Sequence, residues 1–429
     1  MMYEKALLHI HDVVTDFMDD ADSSLQAALA NITAWPAITS LRTLVTFTLA
    51  LATAAMSVSS GSAATIQPYE MHVVLSLTGP GTLLGTAEQL SMKALEGAVN
   101  EQGGIRGQPI RFSFYDDQTN PVIALQLATA IVEKKVPVIF GSSLSASCRA
   151  MAPLTKSGPL LYCFSSGVEP EKDSYLYTII MSAYDVIATT MRFFRSRGWR
   201  RVALITTTDA SGQGNDQDFQ KVFHTAEFSD LTLVASEHVG SADLSAAAQI
   251  SRIAAAAPDA IAIWAPGTAF GTILRSMKDA GMDLPTASTQ AKMSNAQLHQ
   301  YDAMLPTALY FPTEPFMGHV AATPQARKAQ KFFFDAVKKN GLVADALMSG
   351  SWDPAMIVVD ALRSLGTNMT ASQLRTYIDG LHDYGGICGV YDFRGANHRG
   401  LGQKDVIIMR WERLKNAWTT VSSPRPAHV

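Results

Sequence analysis

Two short hydroxyl-rich runs carry most of the chemistry that this sequence offers. Gly141-Ser-Ser-Leu-Ser-Ala-Ser147 follows the apolar stretch Val136–Phe140, and Cys163-Phe-Ser165-Ser166-Gly167 closes another, Pro159–Phe164. Serine hydroxyls and the free backbone N–H groups at a helix start donate hydrogen bonds without adding charge, and the helix dipole there favours an anion. The first run therefore reads as a neutral cradle for a carboxylate. Its serines would equally cap the helix that follows, and the two roles are compatible.

Catalytic and cofactor chemistries find less support. Gly79-Pro-Gly81-Thr-Leu-Leu-Gly85 has the spacing GxGxxxG, one position away from a dinucleotide fingerprint, with a proline between its first two glycines. The second strand ends in no strong acidic ribose partner apart from Asp116 and Asp117. No GxxxxGK[ST] occurs, which excludes a P-loop. Gly141-Ser-Ser-Leu-Ser145 lacks the final glycine of a nucleophile elbow. The 10 histidines are scattered without metal-ligand spacing. The cysteines Cys148, Cys163 and Cys388 form no CxxC, so neither a zinc site nor a redox pair is indicated. A bridge between Cys148 and Cys163 is geometrically open, but no structural disulfide is expected to be required. The expectation is a protein that is not an enzyme and that holds no cofactor and no metal.

These runs must be positioned by a repeating strand–helix frame. It starts at Met71–Leu77, a short apolar run suited to a buried strand. The glycine-rich turn, a helix carrying Leu90, Met92, Ala94, Leu95 and Ala98, the stop at Gly103-Gly104 and a second strand at Ile110–Tyr115 complete a βαβ unit. Further strands are expected at Val136–Phe140, Pro159–Phe164, Arg201–Thr206, Leu231–His238, Ala260–Trp264, Ala308–Phe311 and Asp405–Trp411. Helices are expected at Gln118–Lys135, Asp185–Arg197, Gln213–Phe228, Ala242–Ala257, Thr268–Ala280, Gln325–Asn340 and Pro354–Leu365. Such alternation implies α/β architecture with parallel sheets covered on both faces, and ligands bind such sheets at the carboxyl edges of the strands.

The chain is 429 residues long, enough for about two to three domains. Its formal net charge of -4 arises before Thr65, where six acids (Glu4, Asp12, Asp16, Asp19, Asp20, Asp22) outnumber Lys5 and Arg42; the remainder is balanced. A balanced body gives no sign of a nucleic-acid-binding face.

The segments SLTGPGTLLG, NEQGGIRGQPI and YDDQTNP, with GSSLSAS, Asp209-Ala-Ser211-Gly-Gln-Gly214 and the stretch around Tyr391, resemble the solute-binding proteins of ABC importers. The resembled branch captures leucine, isoleucine, valine and related compounds, and the likeness runs over the chain after Ala64. It implies two doubly wound parallel-sheet lobes with three interlobe crossings, at Tyr175–Tyr184, Pro312–Gly318 and Gly385-Gly386, and a ligand cleft between them. Residues 67–183 plus 313–384 then form lobe one, and 184–312 plus 385–429 lobe two.

The same resemblance places ligand contacts. Ser145 matches the serine that holds the ligand carboxylate, and Ser165 a backbone-contact position. Gly167 falls where the family has threonine, a lost hydroxyl that Ser166 is placed to supply. Leu84 and Ser211 replace aromatic positions. Pro266 aligns with another aromatic position, with Trp264 two residues earlier as the available ring. Gln290 stands where amino-acid binders place the glutamate that receives the ligand ammonium. Lacking that charge, the cleft is expected to prefer an aromatic or branched carboxylate without an α-ammonium over leucine or valine.

Before the lobes, residues 1–64 read as a leader. Met1–Trp35 has an acidic, amphipathic helical pattern. Arg42, the uncharged run Leu44–Met56 and the small residues Ser62 and Ala64 describe a secretory signal over about 41–64, cleaved after Ala64. The apolar run is short for a membrane-spanning helix, which needs about 20 residues. Translation is expected to start downstream of Ser40; the alternative is a cytoplasmic extension before an uncleaved anchor. The expected protein is periplasmic and monomeric, with a small-molecule ligand and ABC importer permease subunits as partners. A ligand-sensing receptor on the same scaffold is the alternative.

Overall fold

Tyr69–Leu75 (β1) is fully buried from Met71 onward, as expected of an apolar strand covered on both faces. A computed structural model describes residues 66–240, 242–265, 268–289, 295–394 and 398–422. The leader and its signal fall outside them. Among the described residues no helix is long and apolar enough to cross a membrane.

From β1 the chain enters α1 (Thr82–Glu101) and returns as β2 (Ile110–Asp116), parallel to β1 in the register Tyr69–Ile110 to Leu75–Asp116. Next come α2 (Pro121–Val132), β3 (Val138–Gly141), α3 (Ser145–Met151), β4 (Leu160–Cys163) and β5 (Leu176–Thr178). The five strands form one parallel sheet in the order β2-β1-β3-β4-β5. This is a doubly wound order whose crevice lies where the chain departs in opposite directions, between β1 and β3.

The second sheet begins after α4 (Ala183–Ser196), whose Ser182 and Asp185 make a reciprocal capping box. It takes β6 (Arg201–Thr207), α5 (Ala210–Phe223), β7 (Thr232–Val239), α6 (Ala247–Ala255), β8 (Ala260–Trp264), α7 (Ala269–Asp279) and β9 (Thr286–Ser288). After α8 (Asn295–Gln300) and β10 (Leu309–Thr313) the chain leaves this sheet. It packs α9 (Pro324–Lys339), α10 (Ser349–Leu365) and α11 (Ala371–Asp379) with the first sheet's elements, in a core shared by Met92, Leu95, Phe140, Phe333 and Trp352. A short hairpin, β11 (Tyr384–Gly385) and β12 (Val390–Tyr391), precedes β13 (Ile407–Glu412) and β14 (Ala417–Thr420). The larger sheet runs β14-β13-β10-β9-β8-β6-β7; β13 is antiparallel to both β10 and β14, and the remaining pairs are parallel. Its crevice lies between β6 and β8.

The expected alternation is present, with additions. The polar, aromatic stretch Tyr175–Tyr184 contains β5, and the short strands β9 and β14 and helix α11 add to the expected elements. Helix α10 begins at Ser349, with Pro354 inside it, instead of at Pro354. The last return to the larger sheet comes later than Gly385. Ile387, Cys388, Tyr391 and Phe393 pack in the first sheet's core, and the chain joins the larger sheet only at Ile407. Two buried hydrogen bonds explain this: Asp353 on α10 accepts from the Ile387 and Cys388 amides, both at 2.9 Å. Cys148 and Cys163 are joined in a disulfide with Cα atoms 5.9 Å apart, so the pair that the spacing left open is made; Cys388 is buried and free.

Candidate functional site

The loop after β1 is built by the acidic turn that ends β2. Asp116 accepts from the Leu77 and Thr78 amides at 2.9 and 3.1 Å and from the Thr78 hydroxyl at 2.7 Å. Asp117, fully buried, faces the other way and accepts from Ser76 Oγ at 2.7 Å and Ser142 Oγ at 2.5 Å. Both carboxylates thus hold loops at the carboxyl ends of β1 and β3. Gly85 lets α1 approach this end, since a Cβ there would stand 2.3 Å from the Ser76 carbonyl oxygen. Gly212 repeats the device in the second sheet, where a Cβ would stand 1.7 Å from the Thr207 carbonyl oxygen.

These close approaches leave a cavity of about 240 Å³ at the strand ends of both sheets. From the first sheet come Ser143 after β3, Phe164, Ser165 and Ser166 after β4, and Ile180 and Met181 after β5. Helix α1 supplies Leu84 and Glu88. The second sheet supplies Trp264 at the end of β8, Thr289 after β9 and Asn215 on α5, whose amide donates to the Trp264 carbonyl at 3.3 Å. Ser349 and Gly350 close the wall from the first turn of α10. Phe219 packs edge-on against Trp264, with ring centroids 5.1 Å apart, and fixes that ring.

Among the described residues, Glu88 is the one ionisable side chain in this lining. It is 0% exposed; its Oε2 accepts from Ser143 Oγ, and its Oε1 has no hydrogen-bond partner. Burial pushes its carboxyl well above the usual carboxylate range, against the Ser143 hydrogen bond, and the nearby charge of Asp117 pushes the same way. No Lys, Arg or His lines the cavity among the described residues.

Of the residues expected from sequence, the cavity brings together Leu84, Ser165, Ser166 and Trp264. Ser145 and Gly167 lie beside one another, a Cβ at Gly167 meeting Ser145 Oγ at 3.3 Å, but neither belongs to the lining. Ser145 opens α3 directly behind Leu144, which makes no side-chain cap. Pro266 and Gln290 lie outside the described residues, as does the side chain of Ser211 at the start of α5. Sequence reasoning missed Glu88, which sits one helical turn beyond Leu84, a spacing that could have found it. It also missed Asn215, one turn beyond Ser211. Ser349 and Gly350 carry no sequence signal.

Glu88 adds to the lining a buried carboxyl that the expectation built on Gln290 did not include. A larger concavity, about 320 Å³, is lined by Thr189 and Arg192 on α4, by Arg197 just after it, and by residues near the C-terminus. It takes no residue from the first sheet's strand ends, so it cannot join the two halves around a ligand.

A family model described as "Periplasmic binding protein" matches residues 71–417. The Leucine-, isoleucine-, valine-, threonine-, and alanine-binding protein of Pseudomonas aeruginosa is 22% identical over 314 residues, covering 71% of this chain and 78% of the relative. Among solved structures, an isoleucine-bound branched-chain amino acid transporter substrate binding protein from Streptococcus pneumoniae aligns with TM-score 0.68 and 19% identity. That alignment covers 83% of this chain and 99% of the other. An extracellular ligand-binding receptor from Rhodopseudomonas palustris HaA2 aligns with TM-score 0.69 and 18% identity over 83% and 100% of the two chains.

Proposed function

This chain belongs to the periplasmic binding protein family, in its type I, branched-chain amino acid branch, and on that premise we propose that it captures a small carboxylate-bearing solute outside the cytoplasmic membrane and delivers it to an ABC importer. The solute is an amino acid or an aromatic or branched organic acid, and no bond is made or broken. The observation that carries this reading is a cavity lined jointly by Ser165 and Ser166 from one sheet and Asn215 and Trp264 from the other.

A ligand that touches groups from both sheets binds the closed arrangement better than the open one, and that difference drives closure. Hinge closure around a ligand is a motion for which periplasmic binding proteins are themselves a standing example. The hydroxyls of Ser165 and Ser166 and the amide of Asn215 offer neutral donors to the carboxylate. Leu84, Phe164, Ile180, Met181 and Trp264 take the apolar body. Ser145, Gly167, Ser211, Pro266 and Gln290 remain candidate contacts.

A thermal-shift screen of amino acids, aromatic acids and branched acids tests the reading, because a ligand of the native state raises its melting temperature by mass action. At least one class is expected to raise it in a concentration-dependent manner without being consumed. Turnover of a bound solute would point to an enzyme instead. Loss of uptake when the protein is deleted separates import from the alternative, a ligand-sensing receptor acting through a membrane partner.

A further inference from the structure

We propose that the concavity between the last turns of α4 and the stretch entering β13 is a second small-molecule site, separate from the cavity at the strand ends, and that it takes a phosphate monoester with a short apolar body. Phe193 on α4 meets Val406, Ile408 and Val421 in its lining, and Thr189, Arg197 and Gln403 stand among its polar groups. A volume of about 320 Å³ with an apolar wall and a few polar groups is the ordinary make-up of a small-molecule site. Two of the polar groups are uncommitted. Thr189 Oγ1 is buried and has no hydrogen-bond partner. The Arg197 guanidinium lies over the Phe193 ring, 5.0 Å from its centroid, and pairs with no acid among the described residues. Neighbouring groups are already in use. Arg192 donates to both oxygens of Glu227, Ser196 Oγ donates to Phe193 O at 2.7 Å, and Ser422 Oγ accepts from the Ile408 amide at 2.8 Å.

The surroundings set the sign of the ligand. No Asp or Glu lines the concavity among the described residues. Just outside it, Glu227 and Asp230 are shared by Arg192, Arg195 and Arg200, so Arg197 adds positive charge that neither acid offsets. The carbonyls that end α4 would repel an anion, but the amides of Arg197, Gly198 and Trp199 already close them. A guanidinium presents a planar fork of donors, and a phosphate carries three acceptor oxygens, enough to serve Arg197, the Thr189 hydroxyl and the Gln403 amide together. A carboxylate offers two. The site also stands beside a return between the sheets. Lys404 Nζ donates to Val390 O at 2.6 Å and Asp405 accepts from the Val390 amide at 3.1 Å, which fastens the stretch from Gln403 to Val406 to the β11–β12 hairpin. A ligand held between that stretch and α4 touches both.

Calorimetric titration of phenyl phosphate and of inorganic phosphate into the purified full chain at pH 7 tests this. Phenyl phosphate is expected to bind at least about 10-fold tighter than inorganic phosphate, because its ring takes the apolar wall. Arg197→Gln, at an exposed position, should weaken phenyl phosphate at least about 10-fold. Thr189→Val removes the unpartnered hydroxyl; the melting temperature without ligand should hold or rise, while phenyl phosphate weakens about 3- to 10-fold. Should that variant fail to fold, Arg197→Gln decides. Absence of phenyl phosphate binding overturns the proposal, and so does binding that Arg197→Gln leaves unchanged, which would place the ligand elsewhere on the chain. Inorganic phosphate bound as tightly as phenyl phosphate overturns it too, since the apolar wall would then contribute nothing.

Discussion

The guanidinium of Arg399 donates to the backbone carbonyl of Ile180 at 3.2 Å, joining the strap after β12 to the segment that leaves the first sheet. The same side chain, almost fully buried, donates to Val168 O at 2.7 Å and to Ser166 O at 3.3 Å. Ser166 and Ile180 both line the cavity, so one arginine holds two of its walls from behind.

Replacing Arg399 with Met leaves those carbonyls without donors, at about 1–3 kcal/mol for each unsatisfied group. Arg399→Met is expected to lower unfolding stability by about 3 kcal/mol and to weaken solute binding. Chemical denaturation measures the first effect; a loss below about 1 kcal/mol would show that water or a neighbour replaces the guanidinium.

The Cys148–Cys163 bridge closes a loop across a sequence separation of 15 and ties α3 to the strand that runs into Phe164–Ser166. A loop of that length is worth about 3 kcal/mol in the unfolded-chain account. The double Cys148→Ser, Cys163→Ser variant should lose about 2–3 kcal/mol, as should the wild-type chain under reductant. Unchanged melting under reductant would return the pair to the dispensable role expected from spacing alone.

Gly85→Ala should destabilise although alanine favours helices. The gain in helix propensity is about 1 kcal/mol, while the new methyl meets the Ser76 carbonyl at 2.3 Å. Separating α1 from β1 would also move Leu84 and Glu88 away from the cavity. A variant that melts higher and binds as well would contradict this packing.

Glu88 also makes a prediction about pH. Its folded carboxyl lies well above the ordinary glutamate value of 4.5, first because of burial. From about 4.5 upward the unfolded chain releases this proton while the native state keeps it, so stability falls as pH rises through that window. Glu88→Gln abolishes that slope. The melting temperature of the variant relative to wild type should therefore increase between about pH 4.5 and pH 7 without ligand. A difference that shrinks with pH would mean that the native carboxylate is stabilised as an ion.

Much of this site is legible in the sequence. Leu84, Ser165, Ser166 and Trp264 sit at or just beyond strand ends, and strand ends follow from apolar runs bounded by glycine and serine. Glu88 escapes such a reading because a single acid in an amphipathic helix looks solvated. Its burial is decided by Ser349, Gly350 and Ser351, which arrive from far along the chain. The start of that segment is hidden as well, because Pro354 reads as a helix start when it lies inside α10. The late return at Ile407 is concealed for a similar reason: Asp353 captures residues 387–388 through backbone amides, which leave no mark on composition.

Processing offers an independent check. Intact mass of protein recovered from the periplasm should begin at or near Thr65, after the small residues Ser62 and Ala64. Full-length chain carrying Met1 in a membrane fraction would instead indicate an uncleaved anchor.

The most direct measurement is a crystal structure of the chain with the solute that most raises its melting temperature. Ligand density is expected in the cavity at the strand ends, touching Ser165 or Ser166 from one sheet and Trp264 or Asn215 from the other. Density bound to one sheet alone, or seated in the concavity beside Thr189 and Arg192, would contradict capture by two closing lobes.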